Sequence, residues 1–238
     1  MKSILLDNNS TFLYVNHFVS KGLSGIYLPK KRKLLYTSDV LNSPISIRLA
    51  LNLTYQENTK KLAVQEFNNQ VFLMIRSGMA CCGLFENGEL ADHKVFRAYM
   101  VRKKQGMSQI KHLKTKGKSR AGSRVRLAET LEFFEEINNR LEDYFQSYRV
   151  DQIGLSYATT LIPYLFGSKV PTPFEKNDPR IFTIPKHIPS PTFEALKSTF
   201  GFMSKNELIW EDESDWLLEP LNKPNQSLLE SKNLDDNW

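Results

Sequence analysis

The sequence predicts an α/β fold, a mixed β-sheet with flanking helices. Three observations predict it. Two apolar runs and an Asn-Gly hairpin signal make a three-stranded meander around residues 71–101. A long amphipathic segment with helical spacing follows a polar, glycine-containing connection. Strand-like and helix-like segments then alternate to about residue 210.

The elements follow in chain order. Residues 1–45 mix short apolar runs with a basic tetrapeptide, Lys30, Lys31, Arg32 and Lys33, and read as an N-terminal extension of unknown fold. The folded domain is expected over residues 46–212. Val71, Phe72, Leu73, Met74 and Ile75 form a buried-strand run, and residues 79–85 form a second one after Ser77 and Gly78. Asn87 and Gly88 suit a tight hairpin turn, because both positions of that turn need positive φ. The third strand is expected over residues 95–101, an apolar and aromatic run broken by Arg97. A polar connection over residues 102–123 carries Gly106, Gly117 and Gly122, and a loop of that length in a compact domain is usually functional or disordered. Leu127, Leu131, Phe134, Ile137, Leu141 and Phe145 recur at three- and four-residue spacing, so an amphipathic helix of about six or seven turns is predicted. Its aromatics, Phe133, Phe134, Tyr144, Phe145 and Tyr148, read mostly as core, with a stacking platform for bases as the alternative. Residues 153–157 read as a strand and residues 161–166 as a short helical piece. Residues 181–184 form a further strand, and Ser190-Pro191 opens a helix that Gly201 closes. Leu208, Ile209 and Trp210 make the last strand, and residues 213–238 are an acidic tail expected to be disordered.

Bulk composition narrows the function classes. At 238 residues, with 41% hydrophobic and 24% charged residues, the chain has the balance of a soluble globular protein. No run approaches the roughly 20 apolar residues of a membrane span. The apolar Ile4, Leu5 and Leu6 run straight into Asp7, Asn8 and Asn9, too short for a secretory signal, so a cytoplasmic location is expected. Cys81 and Cys82 are the sole cysteines, and neighbours on a strand face opposite ways. With four scattered histidines they offer no zinc set; neither a metal nor another cofactor is expected.

Charge is the informative feature. The net charge is +6, yet the chain from Glu211 onward carries −6, which leaves +12 on the rest. Between Asp92 and Glu129 there is no acidic residue and there are twelve lysines and arginines. They include Arg102, Lys103, Lys104, Lys111, Lys114, Lys116, Lys118, Arg120, Arg124 and Arg126. Such a run binds polyanions, and nucleic acid is the first candidate; a solvated charge run is the bland alternative. Arg120, Arg124 and Arg126 are expected at or just before the start of the long helix, where cations oppose the helix dipole by about 0.3–1 kcal/mol each. A phosphate removes that conflict, so loop and helix start are expected to form an RNA-phosphate cradle. Lys30, Lys31, Arg32 and Lys33 either extend that surface or form a nuclear import signal. His93 and His112 lack a local carboxylate or cysteine partner and read as phosphate or surface contacts.

Gly106, Ser108 and Gln109 are the candidate catalytic residues. A glutamine does not titrate, so it is no general base. It can orient a water or a hydroxyl while backbone N–H groups stabilise oxyanion charge, and a nearby glycine lets the main chain approach the reacting group.

The stretch from Asp92 to Gln109, continued by Gly117, Lys118, Ser119, Arg120, Ala121, Gly122 and Ser123, resembles the VLRF family. These are release-factor-like domains of ribosome-associated quality control, related to the central domain of the eukaryotic and archaeal class-I release factor. The resemblance implies an RNase H-like fold whose long basic loop, between a strand and a long helix, reaches the peptidyl-transferase centre. It implies that Gln109 is the family's essential glutamine and Gly106 its leading glycine. It further implies a stand-alone bacterial version that frees nascent chains from peptidyl-tRNA on large ribosomal subunits. Release factors proper have a second glycine where this chain has Met107, and both ester hydrolysis and an endonucleolytic cut near the tRNA CCA end stay open. The expected partners are the large subunit, P-site peptidyl-tRNA and rRNA, with no membrane and a monomeric protein. A protein of another class, a rescue or hibernation adaptor that binds the subunit without chemistry, has the same basic loop and differs in not needing Gln109.

Overall fold

The computed structural model describes residues 2–37, 43–98 and 118–211, with side chains from residue 129 onward in the last of these segments. They divide into two compact units. The first draws on the described residues of Met1–Leu28, Arg32–Val64 and Ser204–Trp238, the second on Pro29–Lys31 and Gln65–Met203.

In the first unit β1 (Lys2–Leu6) leads into α1 (Asn8–Ser20), followed by β2 (Ser24–Leu28), β3 (Lys33–Thr37), β4 (Ile45–Arg48), β5 (Leu53–Gln56) and β6 (Lys61–Val64). Asp7 caps α1: its carboxylate accepts from the Ser10 backbone N–H at 2.7 Å, and that bond holds its pKa below the usual carboxylate value. Tyr14, Val15 and Phe18 bury one stripe of α1 in a core that includes Leu34, Tyr36, Ile45, Ile47 and Leu208. The sheet order is β1-β12-β4-β3-β2, all antiparallel, with β5 and β6 as a separate hairpin. Residues 1–45, read from sequence as an extension of unknown fold, thus contribute a helix and three strands. The expected last strand is β12 (Asn206–Trp210), and it joins this antiparallel sheet between β1 and β4, not the mixed one.

The basic tetrapeptide is not one continuous exposed patch. Arg32 is buried with φ at 51°, and its guanidinium donates to the carbonyls of Leu49, Ala50 and Leu53. It ties a loop together and is not available to an outside partner, whereas Lys30 and Lys31 are exposed.

The second unit holds the mixed sheet, in the order β11-β10-β7-β8-β9. β7 (Asn69–Arg76), β8 (Met79–Glu86) and β9 (Glu89–Arg97) form the predicted meander, and β10 (Gln152–Tyr157) and β11 (Ile181–Thr183) add to β7 in parallel. Asn87 and Gly88 have φ of 50° and 95°, the left-handed pair that the β8–β9 turn requires. β9 starts at Glu89, six residues before the apolar run. Pairing with β8 sets its span, and an edge strand tolerates the charges that its first half carries.

Side-chain alternation sorts the two faces. Val71, Leu73, Ile75, Ala80, Cys82, Leu84 and Phe96 face α2 (Lys118–Ser147), whose Phe133, Phe134, Ile137, Leu141 and Tyr144 are buried against them. Phe145 and Tyr148 pack at the margin of that core. Asn138, fully buried among these apolar residues, donates to the carbonyls of Leu165 and Val170 at 2.9 and 2.8 Å and so fastens α2 to the segment around α3 (Ile162–Phe166). The other face takes α4 (Phe193–Met203). Gly83 makes room for it, since a Cβ there would stand 2.4 Å from the Leu196 Cδ2.

Candidate nucleic-acid interface

β7 and β10 are parallel, and β9 is antiparallel to β8, which is antiparallel to β7. The three strands β7, β9 and β10 therefore run the same way and end on one edge, at Arg76, Arg97 and Tyr157. The basic segment leaves from that edge after Ala98, whose backbone N–H still donates to the Gly78 carbonyl at 3.0 Å. α2 returns the chain to the opposite edge, where Ser147 precedes β10 by a short turn. Its N-terminal end accordingly points toward the edge from which the segment departs.

Among residues 129–147 of α2, whose side chains are described, Phe133 is the first that is buried, and residues 118–132 span about 22 Å of helix. Residues 118–123, expected in the loop, are already helical, so Arg120, Arg124 and Arg126 lie within the first turns and not ahead of them. The helix dipole and the free N–H groups act over the first turn only. Lys118 and Arg120 fall in that range; Arg124 and Arg126 lie beyond it and bring charge alone. Gly106, Ser108 and Gln109, with Arg102, Lys103, Lys104, Lys111, Lys114, Lys116 and His112, lie outside the described residues, as does the acidic tail from residue 212.

The acid that bounds the basic run is accounted for. Asp92 of β9 forms an ion pair with Arg140 of α2, which also faces Asp143 at 3.7 Å and lies over the Tyr144 ring at 5.1 Å. Burial pushes the neighbouring Tyr144 hydroxyl far above the ordinary phenol range. This cluster ties strand to helix on either side of the basic segment. Cys81 and Cys82 are free and buried; burial pushes the Cys81 thiol up to about 12, so it stays protonated and unreactive. Among the described residues no group of three or more His, Cys, Asp or Glu could hold a metal ion, and no helix is long and apolar enough to cross a membrane. His93 is a surface contact: its ring stacks on Phe193 with centroids 4.1 Å apart. Sequence reasoning passed over Tyr164, an exposed ring of α3 stacked nearly parallel on Phe134, and over Arg76 at the end of β7; it noted Arg97 only as a break in the third strand.

Residues 70–210 match the family described as Bacteroidetes VLRF1 release factor, or bVLRF1. The chain belongs to this family. The bVLRF1 match takes in the whole mixed sheet from the second residue of β7, the basic segment, α2, α4 and β12. Curated relatives described as tRNA endonuclease ANKZF1 share 25% identity over 146 residues in Homo sapiens and 27% over 145 residues in Bos taurus. Each alignment covers 60% of this chain, and the chain spans about a fifth of the length of those relatives. A solved structure described as the Vms1 mitochondrial localization core aligns with a TM-score of 0.43 and 14% identity, covering 87% of this chain and 84% of that one.

Proposed function

We propose that this bVLRF1 protein frees stalled nascent chains by cleaving peptidyl-tRNA on the large ribosomal subunit. The observation that carries the reading is the family match over residues 70–210, which encloses the acid-free basic segment between two anchored elements, β9 and α2. Relatives described as tRNA endonucleases support a hydrolytic reaction on tRNA. A meander extended on its first strand by two parallel strands, with a long helix between the third and fourth, supports an RNase H-like frame for the catalytic unit.

In this reading the basic segment and the first turns of α2 grip rRNA and the tRNA acceptor stem. The segment carries Gly106, Ser108 and Gln109 to the tRNA 3′ end. The Gln109 carboxamide orients the attacking water or the ribose hydroxyl, the Ser108 hydroxyl assists as donor or acceptor, and Gly106 removes the Cβ that would hold the main chain away. No titrating group and no metal is required of the protein, so electrostatic stabilisation and positioning carry the rate. Water attack on the peptidyl ester breaks the acyl bond to the terminal ribose oxygen, which takes up the water's proton, and leaves an intact CCA end. Attack by a ribose 2′-hydroxyl on its neighbouring phosphodiester forms a 2′,3′-cyclic phosphate, expels the next nucleotide's 5′-oxygen, which takes up the hydroxyl proton, and shortens the end.

Gln109→Ala should abolish release from purified peptidyl-tRNA–large-subunit complexes, a loss of at least about 100-fold if it removes one oriented donor, while subunit binding is retained. Equal release by variant and wild type would remove the catalytic role and leave a binding adaptor. Mapping the 3′ end of the freed tRNA separates the two bonds.

A further inference from the structure

We infer that Arg76 and Arg97 form a phosphate-binding site borne by the sheet itself, at the root of the basic segment, which holds the RNA strand that the segment acts on. The inference rests on the release-factor reading above; it adds Arg76, which lies outside the basic run, and gives Arg97, near the start of that run, a place on the sheet.

Register places them together. Arg76 pairs with Met79, and Met79 pairs with Arg97, so the three lie in one row across β7, β8 and β9. Cross-strand partners share a face, and two strand spacings put the arginine backbones about 10 Å apart on the same side. Each is the last residue of its strand, on the edge from which the basic segment departs. That spacing lets two long side chains converge on one phosphate or engage neighbouring ones.

Their charge is left open. Arg140, Arg149 and Arg180 of the same unit each meet a carboxylate. Among the described residues no carboxylate lies within ion-pair distance of Arg76 or Arg97. Arg76 is held by neutral acceptors, its Nη1 donating to the Ile75 carbonyl at 2.8 Å and its Nη2 to the Ser156 hydroxyl at 3.2 Å. A guanidinium has five N–H donors, so the anchored fork keeps donors for an anion. Arg97 is exposed. Two acids of neighbouring elements are engaged elsewhere. Asp92 pairs with Arg140 on the α2 face, and the Glu194 carboxyl is held below its usual range by its own backbone N–H, then by the Thr192 hydroxyl and Lys197. The chain from residue 93 to residue 128 contains no acid to neutralise the row.

A charge that merely protects an exposed strand edge explains Arg97 but not Arg76. β9 is an edge strand, whereas β7 is flanked by β10 and β8 and needs no such protection. Two like charges in one row also repel, a cost that an anion between them reverses.

The test uses the full chain and a hairpin RNA with a tRNA acceptor stem and single-stranded CCA end, with affinity read by fluorescence anisotropy across salt concentrations. The Arg76→Gln, Arg97→Gln double variant should bind roughly 10- to 100-fold more weakly near 0.1 M salt, with a log–log salt slope flatter by about two units. Arg76→Lys with Arg97→Lys should regain most of the slope, since it restores charge without the fork geometry. Wild-type affinity and slope in the Gln variant, while reversal of Arg120, Arg124 and Arg126 weakens binding, overturn this site and leave the release-factor reading standing. Weak binding that the Lys variant does not restore, together with a lowered melting temperature, assigns the arginines to structure and overturns the site. A wild-type protein that neither binds the hairpin nor releases nascent chains overturns both.

Discussion

In the first unit, Arg32 and Arg48 are withdrawn from solvent and answered from within. Arg32 is spent on three backbone carbonyls, and Arg48, fully buried in β4, meets the Glu207 carboxylate at 3.2 Å and the Lys205 carbonyl at 2.9 Å. In the second unit, Arg76 and Arg97 end their strands on one edge and meet no carboxylate among the described residues. The difference teaches that cation content alone does not locate a nucleic-acid surface. A buried guanidinium is costly to desolvate and must be satisfied by the fold, so it is lost to any partner. An arginine on a strand end without a carboxylate keeps both its charge and its donors.

The largest test of this contrast is stability. Arg48→Met strands Glu207, whose side chain is 17% exposed, and should cost about 3–5 kcal/mol, read as a fall in the urea midpoint of the first unit. Replacing both partners, Arg48→Met with Glu207→Leu, should recover most of it, because no uncompensated charge remains. Arg97→Gln should stay within about 0.5 kcal/mol of wild type. A large loss there would make Arg97 structural and erase the contrast.

The same contrast explains what the sequence made legible. The second unit was readable because its signals are local. Asn87 and Gly88 mark their own turn, α2 repeats its apolar residues at helical spacing, and β7 and β8 are continuous apolar runs. The first unit was not. Its strands are four or five residues long, and its sheet is completed by β12, whose partners β1 and β4 lie some 160 to 200 residues away in the chain. Arg32 looked like surface charge because its burial depends on carbonyls of residues 49–53, which no local pattern announces. At the interface the basic run could be read directly. The juxtaposition of Arg76 with Arg97 could not, since only the register through Met79 puts them side by side. The start of α2 is not legible locally, because Gly122 lowers helix propensity and cations oppose the dipole at a helix N-terminus, and the long helix overrides both.

A middle-sized effect tests the scaffold that holds those two arginines in place. β8 lies between them, and Gly83 of β8 lets α4 approach the sheet. The Cβ of Gly83→Ala would stand 2.4 and 2.9 Å from the two methyls of Leu196, which is fully buried and has little room to turn. Overpacking of this kind should cost about 1–3 kcal/mol. Combined with Leu196→Ala it should cost less than the sum of the two single changes, a coupling that calorimetry of the four proteins measures. Full additivity would mean that α4 does not press on the sheet at this point.

The smallest effect concerns an arginine of the second unit that resembles those of the first. Arg180 donates to both oxygens of Asp178 at 3.0 and 2.6 Å, and to the Val150 carbonyl at 3.0 Å. The Arg180 guanidinium, followed by the Arg180 backbone N–H, holds the Asp178 carboxyl below its ordinary 3.8. A carboxylate with a depressed folded pKa stabilises the protein above its unfolded pKa, and that stability is lost as pH falls through the folded value. Asp178→Asn keeps an oxygen for the backbone bond and removes the charge, so the difference from wild type isolates the ion pair. With the Arg180 side chain 36% exposed, screening limits that difference to about 1 kcal/mol near pH 6. It should shrink steadily as urea melts are taken from about pH 4 downward, while the contribution of Asp7, common to both proteins, cancels. A difference that persists unchanged into strong acid would show that the pair's geometry, not its charge, stabilises the turn. Arg180 would then no longer exemplify an arginine neutralised from within.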